Sequence, residues 1–218
     1  MPSGSPNAWQ AAIGWTARDR PTLSSVTRII AGSRKGHRLR TPAQDSTRPT
    51  TDRVREALFS AIADWAGTSG EPADEQLCDL ALIDLYAGSA AVALEAASRG
   101  AQPTFAVESQ PKVAAIARDN AAVLGLDTRV VTAAVEPWLS GIRSIQADVV
   151  WADPPYAMSN DECDRMMALV VERDWLKPDG LLILERSSRD EAPQFPAAMT
   201  QRWSRRYGET LLYFAMKE

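Results

Sequence analysis

Ala81-Leu-Ile-Asp-Leu-Tyr-Ala-Gly-Ser-Ala90 decides the fold: an apolar run holding one acid, then a turn of small residues, then a helix-like segment reaching Arg99. A strand that feeds a helix through such a turn opens a βαβ unit. Gly88 has no Cβ, so the backbone of the turn can approach a ligand closely. Ligands of open parallel sheets bind outside the carboxyl ends of the strands, where the strand order switches. Asp84, Tyr86, Gly88 and Ser89 therefore stand where a bound small molecule is expected.

The alternation continues outward. Strand-like segments at Ala81–Tyr86, Pro103–Val107, Arg129–Thr132, Asp148–Ala152 and Leu181–Glu185 interleave with helix-like segments at Ala90–Arg99, Pro111–Leu124 and Glu162–Arg173. This pattern predicts a doubly wound domain. Thr200–Tyr207 and Thr210–Met216 are separated only by Gly208 and Glu209, which demands an antiparallel pair. The expected fold is α/β and Rossmann-like, a mostly parallel seven-stranded sheet with an antiparallel C-terminal hairpin.

Glu108 ends the second strand 20 positions after Gly88, a spacing at which a carboxylate bonds the ribose hydroxyls of a nucleoside. A nicotinamide dehydrogenase would share both features. The turn, however, is not G-x-G-x-x-G, and this suits a ligand without a pyrophosphate.

Asp153-Pro-Pro-Tyr156 follows the buried fourth strand. Methylating an amino group on a nucleobase requires drawing its lone pair out of the ring. Two acceptors on the two N–H bonds do this, and the Asp153 carboxylate and Pro154 carbonyl are suitable. Pro154 and Pro155 fix φ and present no backbone donor to the substrate, and Tyr156 supplies a flat face for an extruded base. A plain strand-ending turn would use the same residue types, so the motif depends on its context. An open sheet closed by a terminal hairpin, with a nucleoside site ahead of this motif, is the architecture of S-adenosylmethionine-dependent methyltransferases.

Charge is informative in its distribution. The 218 residues sum to −4, yet Arg28–Arg55 holds eight basic side chains against two acidic ones, a local +6 that leaves −10 on the remainder. A basic segment on an acidic body is the footprint of phosphate contact. Within it, Thr27–Pro42 reads as two short strands around a Gly-containing turn, carrying Arg28, Arg34, Lys35, Arg38 and Arg40. Arg48 lies in the linker Ala43–Thr50. Thr51 can cap a helix with Val54, Ala57, Leu58, Ala61, Ile62 and Trp65 on its apolar face and Arg53 and Arg55 on its others.

Residues 1–26 are rich in Ser, Pro and Gly and are expected to be poorly ordered. The remaining division is 27–50 as basic hairpin and linker, and 51–218 as the catalytic domain. No run of about 18 apolar residues exists to span a membrane, and no signal peptide is recognisable, so a cytoplasmic monomer is expected. Cys78 and Cys163 lie far apart and have no metal-ligand spacing with His37. They read as reduced thiols, with no metal site.

Arg28-Ile-Ile-Ala-Gly, Arg48-Pro-Thr-Thr-Asp-Arg-Val-Arg-Glu-Ala-Leu-Phe59, Asp84-Leu-Tyr-Ala-Gly-Ser, Leu94-Glu-Ala-Ala-Ser-Arg-Gly-Ala101 and Asp153-Pro-Pro-Tyr156 together resemble the bacterial small-subunit ribosomal RNA guanine-N2 methyltransferases. The resemblance runs from Thr27 to the C-terminus, and the Arg48–Phe59 block is its most discriminating part. It implies transfer of a methyl group from S-adenosylmethionine to the N2 amine of one guanine of 16S ribosomal RNA, of the G966 type, in an assembled or partly assembled 30S subunit. It places the donor at Gly88, Ser89 and Glu108, the acceptor amine at Asp153 and Pro154, and the RNA backbone on the hairpin with Arg48, Arg53 and Arg55. Ala90 stands where a second glycine is usual in the family, and after the third strand Ala133-Ala-Val135 lacks the acid that often bonds the adenine amine, so backbone groups at Ala134 and Val135, or Glu136, would have to replace it. An adenine-N6 DNA methyltransferase can use the same Asp-Pro-Pro-Tyr, although the chain has no room for a target-recognition insertion, and a non-catalytic RNA-binding assembly factor remains a third reading.

Overall fold

The computed structural model describes residues 26–42 and 51–218. The expectations for residues 1–25, the linker and Arg48 fall outside the described residues. A small antiparallel sheet pairs β1 (Val26–Arg28) with β2 (Arg38–Arg40), Val26 opposite Arg40. The chain continues through α1 (Asp52–Ala66), β3 (Leu82–Leu85), α2 (Ala91–Ser98), β4 (Thr104–Glu108), α3 (Pro111–Leu124), β5 (Thr128–Thr132), α4 (Val135–Ser140) and β6 (Ala147–Ala152). It ends with α5 (Asn160–Glu172), β7 (Leu176–Ser187), β8 (Met199–Tyr207) and β9 (Thr210–Lys217).

The main sheet has seven strands, as the sequence predicts, and their order is β5-β4-β3-β6-β7-β9-β8. The first five pair in parallel, whereas β9 runs antiparallel to both β7 and β8. The order reverses between β3 and β6, so a crevice opens there above their carboxyl ends. Ile83 and Leu85 pack on one face with Met166 and Met167 of α5, and Leu82 packs on the other with Leu58 and Ile62 of α1. Burial of apolar area on both faces is the main stabilising term at roughly 25 cal/mol per Å², and it explains why the central strands lack polar alternation.

Local chemistry sets the element ends. The Thr51 hydroxyl accepts from the Val54 N–H at 3.3 Å and caps α1, and Gly67 ends that helix at φ 73°. Ser159 and Glu162 form a reciprocal capping box that starts α5 at Asn160, earlier than the apolar pattern alone suggests. Two elements differ from expectation. Strand β7 extends to Leu176–Ser187 because it also carries β9. The helix α4 was not foreseen: six residues containing Pro137 give too little periodicity, and it is held by packing, with the Trp138 ring tilted against Trp175 at a centroid distance of 4.1 Å and the Trp175 Nε1 donating to the Leu139 carbonyl.

The basic hairpin is built into the body. Ile29 and Leu39 are buried with Ala90, Ala93 and Leu94 of the β3–α2 region and Ala117, Ala121 and Leu124 of α3. At Gly32, φ is +80° and a Cβ would lie 1.9 Å from the Ser98 carbonyl oxygen, so only glycine allows the hairpin turn to rest on the end of α2.

Candidate active site

A cavity of about 680 Å³ lies over the switch point, within the ~300–1,000 Å³ range of cofactor-sized sites. Asp84, Tyr86, Gly88 and Ser89 line it from the β3–α2 turn, and Glu108 lines it from the end of β4. Ala134, Val135 and Glu136 line it from the start of α4, and Asp153, Pro154, Pro155 and Tyr156 from the loop after β6. The candidate donor residues and the candidate acceptor motif, up to 72 positions apart in sequence, are thus brought to one space.

The turn after β3 is conformationally demanding. Tyr86, Gly88 and Ala90 all have positive φ, at 60°, 55° and 62°. For a residue with a Cβ the left-handed region costs roughly 1–2 kcal/mol, so Tyr86 and Ala90 are strained positions within a site. Ala90 takes a left-handed conformation that glycine adopts without a Cβ penalty. A carboxylate braces the turn: Glu108 Oε2 accepts from the Gly88 N–H at 2.9 Å, and Oε1 accepts from the Gln110 N–H at 2.7 Å. An ionised carboxylate has about four acceptor positions, which leaves capacity for ribose hydroxyls.

Asp84 is buried and accepts from the Ala93 N–H at 3.0 Å. Burial pushes its carboxyl well above the usual aspartate range; that hydrogen bond lowers it, and Asp153 and Glu108 raise it further. Burial likewise raises the Tyr86 phenol, followed by the influence of Cys163, and its hydroxyl is buried without a hydrogen-bond partner. Three carboxyl groups around one low-dielectric space favour a ligand bearing positive charge. A sulfonium compound with an amino-acid ammonium group has that charge, and its nucleoside end matches Glu108, so S-adenosylmethionine fits the residues present.

The acceptor loop is firmly placed at its base and open at its rim. Pro154 is buried, whereas Tyr156 is 59% exposed. The Met158 N–H donates to the Pro155 carbonyl, closing the turn, and Arg186 Nη2 donates to the Met158 carbonyl at 3.0 Å. Trp151 is buried in the core and also borders the cavity. Glu185 is buried near the end of β7, and Arg202, Arg205 and Arg206 lie exposed on the edge strand β8.

One RNA-facing expectation is overturned. Arg55 is 1% exposed. Its guanidinium donates to the Arg28 carbonyl at 2.5 Å, to Thr27 Oγ1 at 3.1 Å and to Asp52 Oδ1 at 3.0 Å. Burial depresses its pKa, and Glu95 and Asp52 work against that. The residue is an internal brace, and its expected place off the apolar face of α1 gave no sign of its partners. Lys35, Arg38 and Arg53 are exposed. Arg28 pairs with Asp52 at 3.5 Å, Arg40 with Asp119 at 3.7 Å, and Arg34 Nε donates to the Leu124 carbonyl at 2.5 Å. Thr27, Thr41 and Pro42 of the hairpin also line the cavity, which nothing in their sequence pattern announces. The described residues contain no cluster able to hold a metal, and Cys78 and Cys163 are free.

A family profile described as conserved hypothetical protein 95 matches residues 27–216. The chain is similar to ribosomal RNA small subunit methyltransferase D of Escherichia coli K12, 31% identical over 175 residues that cover 80% of this chain and 81% of that protein. The solved Escherichia coli protein yhhF superposes with a TM-score of 0.72 at 28% identity, covering 89% of this chain and 99% of that one. A Thermus thermophilus 16S rRNA N2 G1207 methyltransferase, solved with AdoMet and guanosine, gives a TM-score of 0.62 at 18% identity, covering 91% of this chain and 52% of that one. At that identity the likeness speaks for the fold alone.

Proposed function

The chain belongs to the conserved hypothetical protein 95 family, alongside the ribosomal RNA small subunit methyltransferase D proteins, and on that footing we propose that it methylates the N2 amine of a guanine in 16S ribosomal RNA. The methyl donor is S-adenosylmethionine, and the guanine is the G966 type. One observation carries the reading: Asp153 and Pro154 open into the same cavity as Gly88 and Glu108, with the exposed Tyr156 beside them. When bound, S-adenosylmethionine supplies an electrophilic methyl group.

Of the residues lining the cavity, Glu108 would hold the ribose hydroxyls, the Gly88–Ser89 turn the methionine portion, and Ala134, Val135 and Glu136 the adenine. The flipped base stacks on Tyr156. The Asp153 carboxylate and the Pro154 carbonyl accept from the two N–H bonds of the amine, which localises its lone pair and directs it at the methyl group. As the nitrogen–carbon bond forms, the sulfur–carbon bond breaks, and the surplus amine proton leaves through Asp153 or water. No histidine base is required, because the sulfonium is discharged in the same step. Lys35, Arg38 and Arg53 hold the phosphate backbone and contribute affinity rather than base choice. A ribosomal substrate places the reaction in the cytoplasm, with the chain acting as a monomer on a 30S particle or an assembly intermediate.

Labelled methyl transfer to unmodified 30S particles, free 16S RNA and duplex DNA tests the substrate class. Label in RNA is expected. Label in DNA alone contradicts the proposal.

A further inference from the structure

Two buried polar side chains take no part in the proposed chemistry, yet they tie the hairpin down, Asn120 to the donor turn and Glu95 to the α2 helix that follows it. Asn120 of α3 is 4% exposed. Its Oδ1 accepts from the Arg40 N–H at 2.9 Å, and its Nδ2 donates to the Arg40 carbonyl at 2.9 Å and to the Ser89 carbonyl at 3.1 Å. A single amide thereby pairs both backbone groups of a hairpin residue and one carbonyl of the donor turn.

Glu95 of α2 is fully buried. Its Oε2 accepts from the Ile30 N–H at 2.7 Å, and its Oε1 accepts from the Ala31 N–H at 2.9 Å and from Arg99 Nε at 3.0 Å. Ser98, one helical turn along, accepts from the Arg34 N–H at 2.9 Å and donates to the Ala31 carbonyl at 2.7 Å. An unpaired carboxylate is costly inside a protein, and here the hairpin backbone supplies two of its partners. The hairpin is consequently seated in one position only.

Given the function proposed above, we propose that Asn120 and Glu95 are positioning residues that lock the hairpin to the donor turn as one wall of the cavity. Thr27, Thr41 and Pro42 of the hairpin line the cavity with Asp84 and Gly88, while Lys35 and Arg38 face outward. A hairpin held in this way presents its cations at a fixed distance from Asp153. Preorganisation of this kind lowers the cost of engaging a partner and does not touch the bond-making step.

Asn120→Asp tests the idea, because it keeps the acceptor for the Arg40 N–H and turns both donors into acceptors facing carbonyl oxygens. Expected are an RNA KM raised roughly tenfold, kcat within about twofold of wild type, and faster amide hydrogen exchange at Ile30, Ala31 and Arg40. Ser98→Ala removes two smaller links. It should move KM and exchange in the same direction by less, and it decides the matter if Asn120→Asp does not fold. Unchanged KM and exchange overturn the inference, as does a fall in kcat at unchanged KM. Wild-type transfer to 30S particles is measured in parallel: its absence counts against the function reading, whereas its presence with unaltered variants counts against the lock. The exchange measurement reads the hairpin without any substrate.

Discussion

Asp84 lies between Asp153 and Glu108 at the base of the cavity, its carboxyl held well above the ordinary range chiefly by burial. Because the folded value exceeds the unfolded one, folding binds a proton to this group. Its contribution is fully present below the unfolded aspartate range, about pH 3.9, and is lost as pH rises towards the folded value. Asp84→Asn should therefore lose less stability than wild type in denaturant melts taken from about pH 4 upward. A cationic donor favours the ionised carboxylate, so donor binding should release a proton and tighten with pH in the wild type but not in Asp84→Asn. Calorimetry in buffers of different ionisation heat checks this; equal proton release in both proteins would contradict it.

Asp153→Ala removes an acceptor from the amine and should lower single-turnover transfer by about 100-fold or more, with donor affinity nearly unchanged. Retained turnover would remove Asp153 from the reaction. That Asp-Pro-Pro-Tyr would border a cavity was legible because the motif is four adjacent residues at a strand end. Arg55 was not, since a charge in sequence does not disclose whether its neighbours in space are water or the carbonyl of Arg28. Glu95 was hidden similarly, although an acid among Ala91-Val-Ala-Leu and Ala96-Ala, with Arg99 four positions on, signals burial with a partner.

Secondary structure was most legible where period and caps agree. Helix α3 matches its expected bounds, Pro111–Leu124, with proline at its start and Gly125 in the left-handed region at its end. Helix α4 depends on Trp175, 37 positions beyond Trp138, and a contact of that separation leaves no local trace. At this scale the hairpin is the element to perturb. Gly32→Ala places a Cβ against the Ser98 backbone at φ +80°; the dihedral alone costs about 1–2 kcal/mol, so thermal unfolding should show at least that loss, and an unchanged melting temperature would refute the seating. Lys35→Ala with Arg38→Ala should instead spare stability. Each lost phosphate contact should reduce the slope of log K against log salt by about one, and an unchanged slope would take these residues off the RNA surface.

Over the whole molecule, strand order explains the site. The reversal between β3 and β6 sets Gly88 and Asp153 at adjoining strand ends, and β7, β9 and β8 continue the sheet beyond β6 without lining the cavity. The parallel strands and the terminal hairpin were readable from alternation and from the short Gly208-Glu209 connection. That the basic hairpin contributes a cavity wall was not, because the contacts that seat it span 64 to 80 positions. On the function proposed above, donor turn, acceptor loop and RNA-facing cations serve one amine. The most direct measurement is nucleoside analysis of 16S RNA after reaction of unmodified 30S particles with labelled S-adenosylmethionine and the wild-type chain. Labelled N2-methylguanosine at a single position is predicted, and labelled N6-methyladenosine would contradict the account.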